Sequence, residues 1–346
     1  MIQRLIRTFG NVISKYPNLF KPMISLQNSG LRIIYYHYIG NQKKEYYFSK
    51  NHISLNVFQK QIKFLKTHFD FIPLSQAINK CYNGDSLDGY FTITTDDGFK
   101  ENYTQIAPIL IENRLKATFF LITDCIDNKN LMWRNKLIVI SNRITLDEQL
   151  KAAKACANNF NIKPIQNGEN LFQWSSRTWP MKIKDFAANF IWEFAKIGNL
   201  DSYLRTHKPY LEISQIKELI NQGFEIGSHS KSHPYFSKLS LQELKDEIFG
   251  STLYLQRTFP NNNCNILSLP FGHRVSKKLE IELFQKDSKN ITSMLGIHSA
   301  LSNNSNPLKW QRDPLELDYY LSIGTFFMIP LYRRIINSVF NKTFHF

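Results

Sequence analysis

The sequence predicts an α/β protein built on a parallel sheet, and three observations point that way. Short segments rich in aromatic and β-branched residues alternate with longer helical stretches, the layout of repeated β/α units. Two of those short segments run straight into polar, turn-forming sequence, as strands do where loops gather at one end of a sheet. The chain has 346 residues, 43% of them apolar and well spread, enough to fill one large core. It contains no internal repeat and no low-complexity run.

Taken in order, Tyr90-Phe91-Thr92-Ile93-Thr94-Thr95 is aromatic and β-branched and stops at Asp96-Asp97-Gly98, which suits a buried strand running into a turn. Adjacent strand residues point to opposite faces, so both carboxylates reach one site only if the strand has ended and the chain is turning. Gly98 makes such a turn easy. Gly223-Phe224-Glu225-Ile226-Gly227-Ser228 is a second short strand, and His229-Ser230-Lys231-Ser232-His233-Pro234 follows it. Downstream, Ser240 is a good N-cap with Glu243 three residues on, a capping box that starts a helix over Leu241 and beyond. Leu267-Ser268-Leu269-Pro270-Phe271-Gly272, taken alone, reads as an ordinary turn after an apolar segment.

The two polar exits matter because of what their residue types can do together. Two imidazoles and one carboxylate give a divalent first-row metal three protein ligands and leave room for water and substrate, as in catalytic rather than structural zinc sites. A further aspartate beside the ligands can serve as a base toward water whose pKa a cation lowers to about 7. Each piece alone has a plainer reading: Asp-Asp-Gly as a turn, and histidines four apart as unrelated groups.

With Asp-Asp-Gly and His-x-x-x-His-Pro in this order, residues 31–315 resemble the polysaccharide deacetylases, also called NodB-homology proteins or family-4 carbohydrate esterases. Thr94 to Gly98 is similar to their T-F-D-D-G motif, with Thr95 where Phe is usual, and His229 to Pro234 is similar to H-[ST]-x-x-H-P. Leu267 to Gly272 resembles the third motif in its Y-P-x-G form, with Leu269 in place of Tyr. Carried over by position, the resemblance implies Asp96 as general base and Asp97, His229 and His233 as ligands of a divalent metal, zinc by preference. It also implies the Phe271 backbone N–H as a donor to the oxyanion, a role that needs no particular side chain. Many members place an arginine just before the third motif; none stands there in this chain, and Arg312 in Gln311-Arg312-Asp313-Pro314 reads either as a comparable charge supplied from later in the chain or, by preference, as a surface arginine.

Leu31 to His37 resembles the opening strand of the permuted members, which ends in Tyr-His, so His37 is the implied general acid and His298 the second choice. The resemblance sharpens the fold to a distorted (β/α) barrel of the NodB-homology type. The stretch from about Asp124 to Pro209 is longer than a barrel loop should be and reads as a helical insertion. Its tryptophans, among them Trp133, Trp174, Trp179 and Trp192, are better explained by core packing than by a grip on sugar.

Composition sets the remaining expectations. Cys81, Cys125, Cys156 and Cys264 are scattered without metal-type spacing and fit a reducing compartment. Arg4 and Arg7 are not followed by an apolar run long enough for a signal peptide, because Lys15 and Lys21 interrupt it, so a cytoplasmic protein is expected. The net charge is +15, and the first 50 residues hold eight basic groups against Glu45 alone. Ile2, Leu5, Ile6, Phe9 and Ile13 fall at helical spacing with Arg4 and Arg7 between them, as in an interfacial helix on an anionic membrane. Residues 319–332 are uncharged and mostly apolar before Arg333 and Arg334, but too few to span a bilayer. Residues 1–30 and 319–346 are thus read as terminal segments flanking a catalytic domain over 31–318, either packed on the barrel or in peripheral contact with the inner face of a membrane. No motif supports a nucleic-acid partner. The expected function is metal-dependent removal of the N-acetyl group from an amino sugar of a surface polysaccharide or lipid-linked glycan precursor. Removal of another acyl group such as formyl, and a catalytically silent glycan- or membrane-binding scaffold, remain as alternatives.

Overall fold

The computed structural model describes residues 30–41, 43–47, 52–262, 265–284, 291–297 and 305–316. Strand β1 (Arg32–Tyr36) is buried along its whole length, as befits a strand covered on both faces. Helix α1 (Leu55–His68), capped by the Ser54 side chain, strand β2 (Asp70–Phe71), helix α2 (Leu74–Tyr82) and strand β3 (Tyr90–Thr95) follow. Helix α3 (Ala107–Glu112) leads into β4 (Thr118–Leu121). The chain then leaves the sheet for α4 (Trp133–Arg143), α5 (Leu146–Phe160), α6 (Leu171–Thr178), α7 (Lys184–Phe194) and α8 (Leu200–His207). It returns with α9 (Ile213–Asn221) and β5 (Glu225–Ser228). Helix α10 (Leu241–Thr258), β6 (Ile266–Ser268), α11 (Lys277–Phe284), β7 (Ser293–Leu295) and β8 (Asp313–Pro314) complete the order. The capping box at Ser240 is present, with the serine side chain accepting from Glu243 N–H and the Glu243 carboxylate accepting from Ser240 N–H at 2.8 Å.

The strands pair in the order β7-β6-β5-β4-β3-β1-β8, with β2 beside the start of β3, and every pair is parallel. Gly296, one residue past β7, bridges Gln311 just ahead of β8. Gly296 N–H donates to Trp310 C=O at 2.9 Å and Arg312 N–H donates to Gly296 C=O at 3.0 Å, which draws the two ends of the sheet together. The result is the distorted (β/α) barrel that the sequence predicts, with α4 to α8 as its helical insertion.

Alternation along the strands divides the core. Ile34, Tyr36, Phe91, Ile93, Phe119 and Leu121 share a cluster with Phe58, Ile62 and Leu65 of α1 and Ile216 and Leu219 of α9. The intervening Ile33, Phe120 and Leu295 share another with Trp310 and with Leu74, Ala77 and Ile78 of α2, which plugs the interior. Each large apolar side chain so buried stabilises the fold by about 1.5–3 kcal/mol. A β-carbon at Gly227 would stand 2.3 Å from the Phe120 ring, so glycine in β5 is what lets that ring fill the interior. Above this plug the barrel interior turns polar, and the site begins there.

Candidate active site

The groups singled out in the sequence stand at the carboxyl ends of strands, on one rim of the barrel. Asp96 and Asp97 follow β3, His37 follows β1, His229 follows β5 and Phe271 comes shortly after β6. The chain turns sharply there: Asp97, His233 and Phe271 have φ of 69°, 57° and 56°, a left-handed region that non-glycine residues seldom occupy. Their surroundings hold them in it. Trp133 Nε1–H donates to the His233 carbonyl at 2.9 Å, and His233 N–H donates to Ser230 Oγ at 3.0 Å. At Gly98, φ 70°, a β-carbon would come within 2.8 Å of the Leu121 side chain, so the turn that aims Asp97 inward requires glycine next to it.

Three of these side chains meet. Asp97 Oδ1 lies 3.5 Å from His229 Nε2 and 3.6 Å from His233 Nε2, and the two nitrogens are 3.1 Å apart. His229 Nδ1 is 2.9 Å from the Ser268 carbonyl oxygen, which can only accept. Nδ1 therefore carries a hydrogen, and Nε2 is the ring atom that faces the cluster. Burial, helped by His229 and then Arg134, holds His233 well below the usual histidine range, so its ring is neutral. Burial pushes Asp97 up, and its Oδ1 has no hydrogen-bond partner among the described residues. A buried, unpartnered carboxylate oxygen facing two imidazole nitrogens lacks a positive charge, and this donor set suits a divalent ion. The residues fit the metal that the sequence predicts.

Asp96 has a different environment. Arg312 Nη1 and Nη2 donate to its two oxygens, both at 2.7 Å, while Ser268 Oγ donates to Oδ1 at 3.1 Å and accepts from Arg312 Nη2 at 2.7 Å. Burial opposes ionisation, yet Arg312, then His229, holds the Asp96 carboxyl well below the usual carboxylate range. Reading Arg312 as a surface residue is therefore wrong. Its side chain is fully buried, with the guanidinium 4.8 Å from the Tyr35 ring centre and 5.6 Å from that of Phe120. The meeting of β7 with β8 carries it to Asp96 across 216 positions of sequence.

His37 is also partnered by a residue that sequence reasoning missed. Its Nδ1 lies 2.9 Å from Glu316 Oε2, and its backbone N–H donates to the same carboxylate. Burial works against charge on the ring, but Glu316, with Asp97 and Asp96 behind it, pushes His37 up to about 10. The one hint in the sequence is spacing, since Arg312, Pro314 and Glu316 share a face of an extended segment. His298 lies outside the described residues.

Asp96, Asp97, His37, His229, His233, Phe271 and Glu316 line a cavity of about 270 Å³, with Tyr35, Tyr47, Leu269 and Ile297, and the insertion supplies a wall through Met132 and through Arg134, Asn135 and Ile138 of α4. Phe271 lines the cavity beside His233, ring centres 4.5 Å apart, while the amides of Gly272 and His273 bond within its turn. Trp133, Trp174, Trp179 and Trp192 are all buried, as core packing requires. Cys81, Cys125 and Cys156 are free thiols, and Cys264 lies outside the described residues.

The family model "Polysaccharide deacetylase" matches residues 83–161 and 190–290, together just over half of the chain. The fold is similar to that of the Streptococcus pyogenes deacetylase PplD, with a TM-score of 0.53 and 14% identity over 87% of this chain and 96% of that one. IcaB from Ammonifex degensii aligns with a TM-score of 0.53 and 12% identity over 87% of this chain and 98% of that one. BA0330 from Bacillus anthracis, described as a putative polysaccharide deacetylase, gives 0.51 and 14% over 86% of this chain and 67% of that one. No curated protein sequence matches. The match runs through both the Asp-Asp and the His-His motifs, in a barrel that brings them to one rim, and the chain belongs to the polysaccharide deacetylase family.

Proposed function

We propose that this protein is a metal-dependent hydrolase that removes the N-acetyl group from an amino sugar of a surface polysaccharide or a lipid-linked glycan precursor. The observation that carries the reading is the fork of Arg312 on Asp96 directly beside the Asp97, His229 and His233 cluster: an ionised carboxylate next to an ion site. Asp97, His229 and His233 would hold the divalent ion, zinc by preference. When bound, such an ion supplies Lewis acidity, lowering the pKa of a water molecule and polarising the amide carbonyl.

The chain's own groups then divide the proton traffic. Asp96 takes a proton from the attacking water, and Arg312 keeps it ionised and aimed. The Phe271 N–H would face the carbonyl oxygen as negative charge develops there. His37 gives a proton to the departing amine, and Glu316 both fixes its ring and keeps it charged until that moment. A silent scaffold has little to recommend it, since the arginine and the acid it would lack are supplied by Arg312 and by the His37–Glu316 pair.

The test is acetate release from a panel of N-acetylated glycans and lipid-linked amino sugars, with protein stripped of metal and then reloaded with zinc. Zinc-dependent release is expected, and Asp96→Asn should lower it at least about 100-fold, the low end for loss of a general base. Asp97→Ala should abolish zinc binding with the fold retained. Tight zinc binding without acetate from any substrate would favour another acyl group such as formyl.

A further inference from the structure

The wall of the cavity made by α4 carries a charge that the proposed chemistry leaves unused. Arg134 lines the cavity, and its guanidinium donates from Nη1 to Tyr235 Oη at 2.5 Å. Among the described residues no carboxylate within 4.0 Å balances it, unlike Arg32 with Asp313, Arg143 with Glu45, Arg177 with Glu169, Arg274 with Glu280 and Arg312 with Asp96. It is held by aromatic faces instead, its guanidinium carbon 5.1 Å from the Phe271 ring centre, 5.4 Å from Phe172 and 5.7 Å from Trp133. Phe271 is in turn stacked on Tyr235 at 4.1 Å, and its ring lies 4.5 Å from that of His233. One aromatic ring thus separates Arg134 from the metal-ligating cluster.

The next residue adds a second donor. Asn135 is 2% exposed, lines the same cavity, and its Nδ2 is a buried nitrogen with no hydrogen-bond partner among the described residues. A buried amide donor left without an acceptor is costly, and a ligand that brings one removes the cost. The cavity's other charges cancel in pairs, Asp96 with Arg312 and His37 with Glu316. Among the described residues, Asp97 is the only other negative group on the wall, and it belongs to the candidate ion site.

We propose that Arg134 recognises an anionic group, a carboxylate or a phosphate, carried by the substrate close to its N-acetylated sugar, with Asn135 Nδ2 beside it donating to the same portion of the glycan. Arg134 is a specificity-determining residue in this account, because its guanidinium fork matches the oxygens of either anion while a neutral sugar offers it no countercharge. This rests on the deacetylase reading and narrows it to acidic substrates. The two sources of such an anion are a uronic acid in an acidic polysaccharide and the phosphodiester of a lipid- or polymer-linked sugar.

The test compares three probes: a neutral N-acetylglucosamine oligomer, an oligomer alternating N-acetylglucosamine with a uronic acid, and an N-acetylglucosamine phosphodiester. Zinc-loaded wild type should favour at least one anionic probe over the neutral one by about tenfold or more in kcat/KM. In Arg134→Gln that ratio should collapse toward one, and in Arg134→Lys it should be partly retained. A preference for only one anionic probe would identify the source of the anion. Calorimetric binding of the same probes to Asp96→Asn protein reads the selectivity without turnover, so it stays informative if no acetate is released by any protein, the result that would defeat the deacetylase reading instead. Equal handling of neutral and anionic probes, or a ratio that Arg134→Gln leaves unmoved, overturns the proposal.

Discussion

A carboxylate buried this deeply stays ionised, as the base role proposed for it requires, only if something holds it so, and at Asp96 that is Arg312. Removing the arginine would strand a buried negative charge, so Arg312→Gln is expected to lower the unfolding free energy by about 3–5 kcal/mol in urea titrations. The double variant Asp96→Asn/Arg312→Gln should recover part of that loss, which a merely space-filling arginine would not allow. His37 carries the opposite lesson, a cation kept by an anion. Its proton should persist well above the ordinary histidine range, so the alkaline limb of the pH–rate profile is expected near pH 10 in the wild type. Glu316→Gln removes the group that raises the pKa and leaves the burial that lowers it, and the limb should move to lower pH. The sign for stability follows: a pKa raised from 6.5 to about 10 stabilises the fold fully below pH 6.5, and the contribution is lost as the pH climbs through 10. Melting temperatures measured from pH 6 to 10 should therefore fall more in the wild type than in Glu316→Gln.

At the scale of elements, the histidine loop is held from both sides. Glu247 of α10 accepts from Ser232 N–H at 2.8 Å and bonds the Ser232 hydroxyl, and Lys184 of α7 donates to Ser232 Oγ at 2.7 Å. The loop between His229 and His233 therefore depends on the start of α10 being in place. Ser240→Ala removes the cap of that helix and should cost about 0.5–2 kcal/mol of stability by chemical denaturation. The insertion helices contribute more than bulk. Trp133 on α4 fixes the His233 backbone, and the neighbouring Arg134 and Asn135 face the cavity, so one helix both supports the ion site and shapes what enters it.

At the scale of the whole molecule, the basic excess and the terminal segments bear on where the enzyme meets its substrate. No helix among the described residues is long and apolar enough to cross a membrane. Residues 1–29 and 317–346 lie outside the described residues, so the interfacial helix expected around Ile2 to Ile13 stands as an expectation with its own test. Sedimentation with vesicles rich in anionic lipid is expected at low salt, weakening as salt rises and lost when residues 1–29 are deleted. Absence of sedimentation even at low salt would end the idea of a peripheral membrane enzyme.

What the sequence determined by itself was local chemistry. The β-branched run ending at Asp96-Asp97-Gly98, the glycine-edged strand ahead of His229, the capping box at Ser240 and the tyrosine-histidine end of β1 each carry their signal within a few residues, because strand exits, turns and caps are set by nearest neighbours. Those signals sufficed for the parallel sheet and for picking out Asp97, His229 and His233, which the fold brings together, and His37, which lines the same cavity. The tertiary structure alone decided who partners whom. Arg312 looks like any exposed arginine until β7 and β8 meet, and Glu316 acquires meaning only when β8 lies beside β1. The charge on Arg134 counts only once the insertion folds its first helix over the rim. In each case the physical reason is the same: a buried charge is defined by its partner, and these partners come from elements far apart in the chain that only the closing of the barrel and the docking of its insertion bring together.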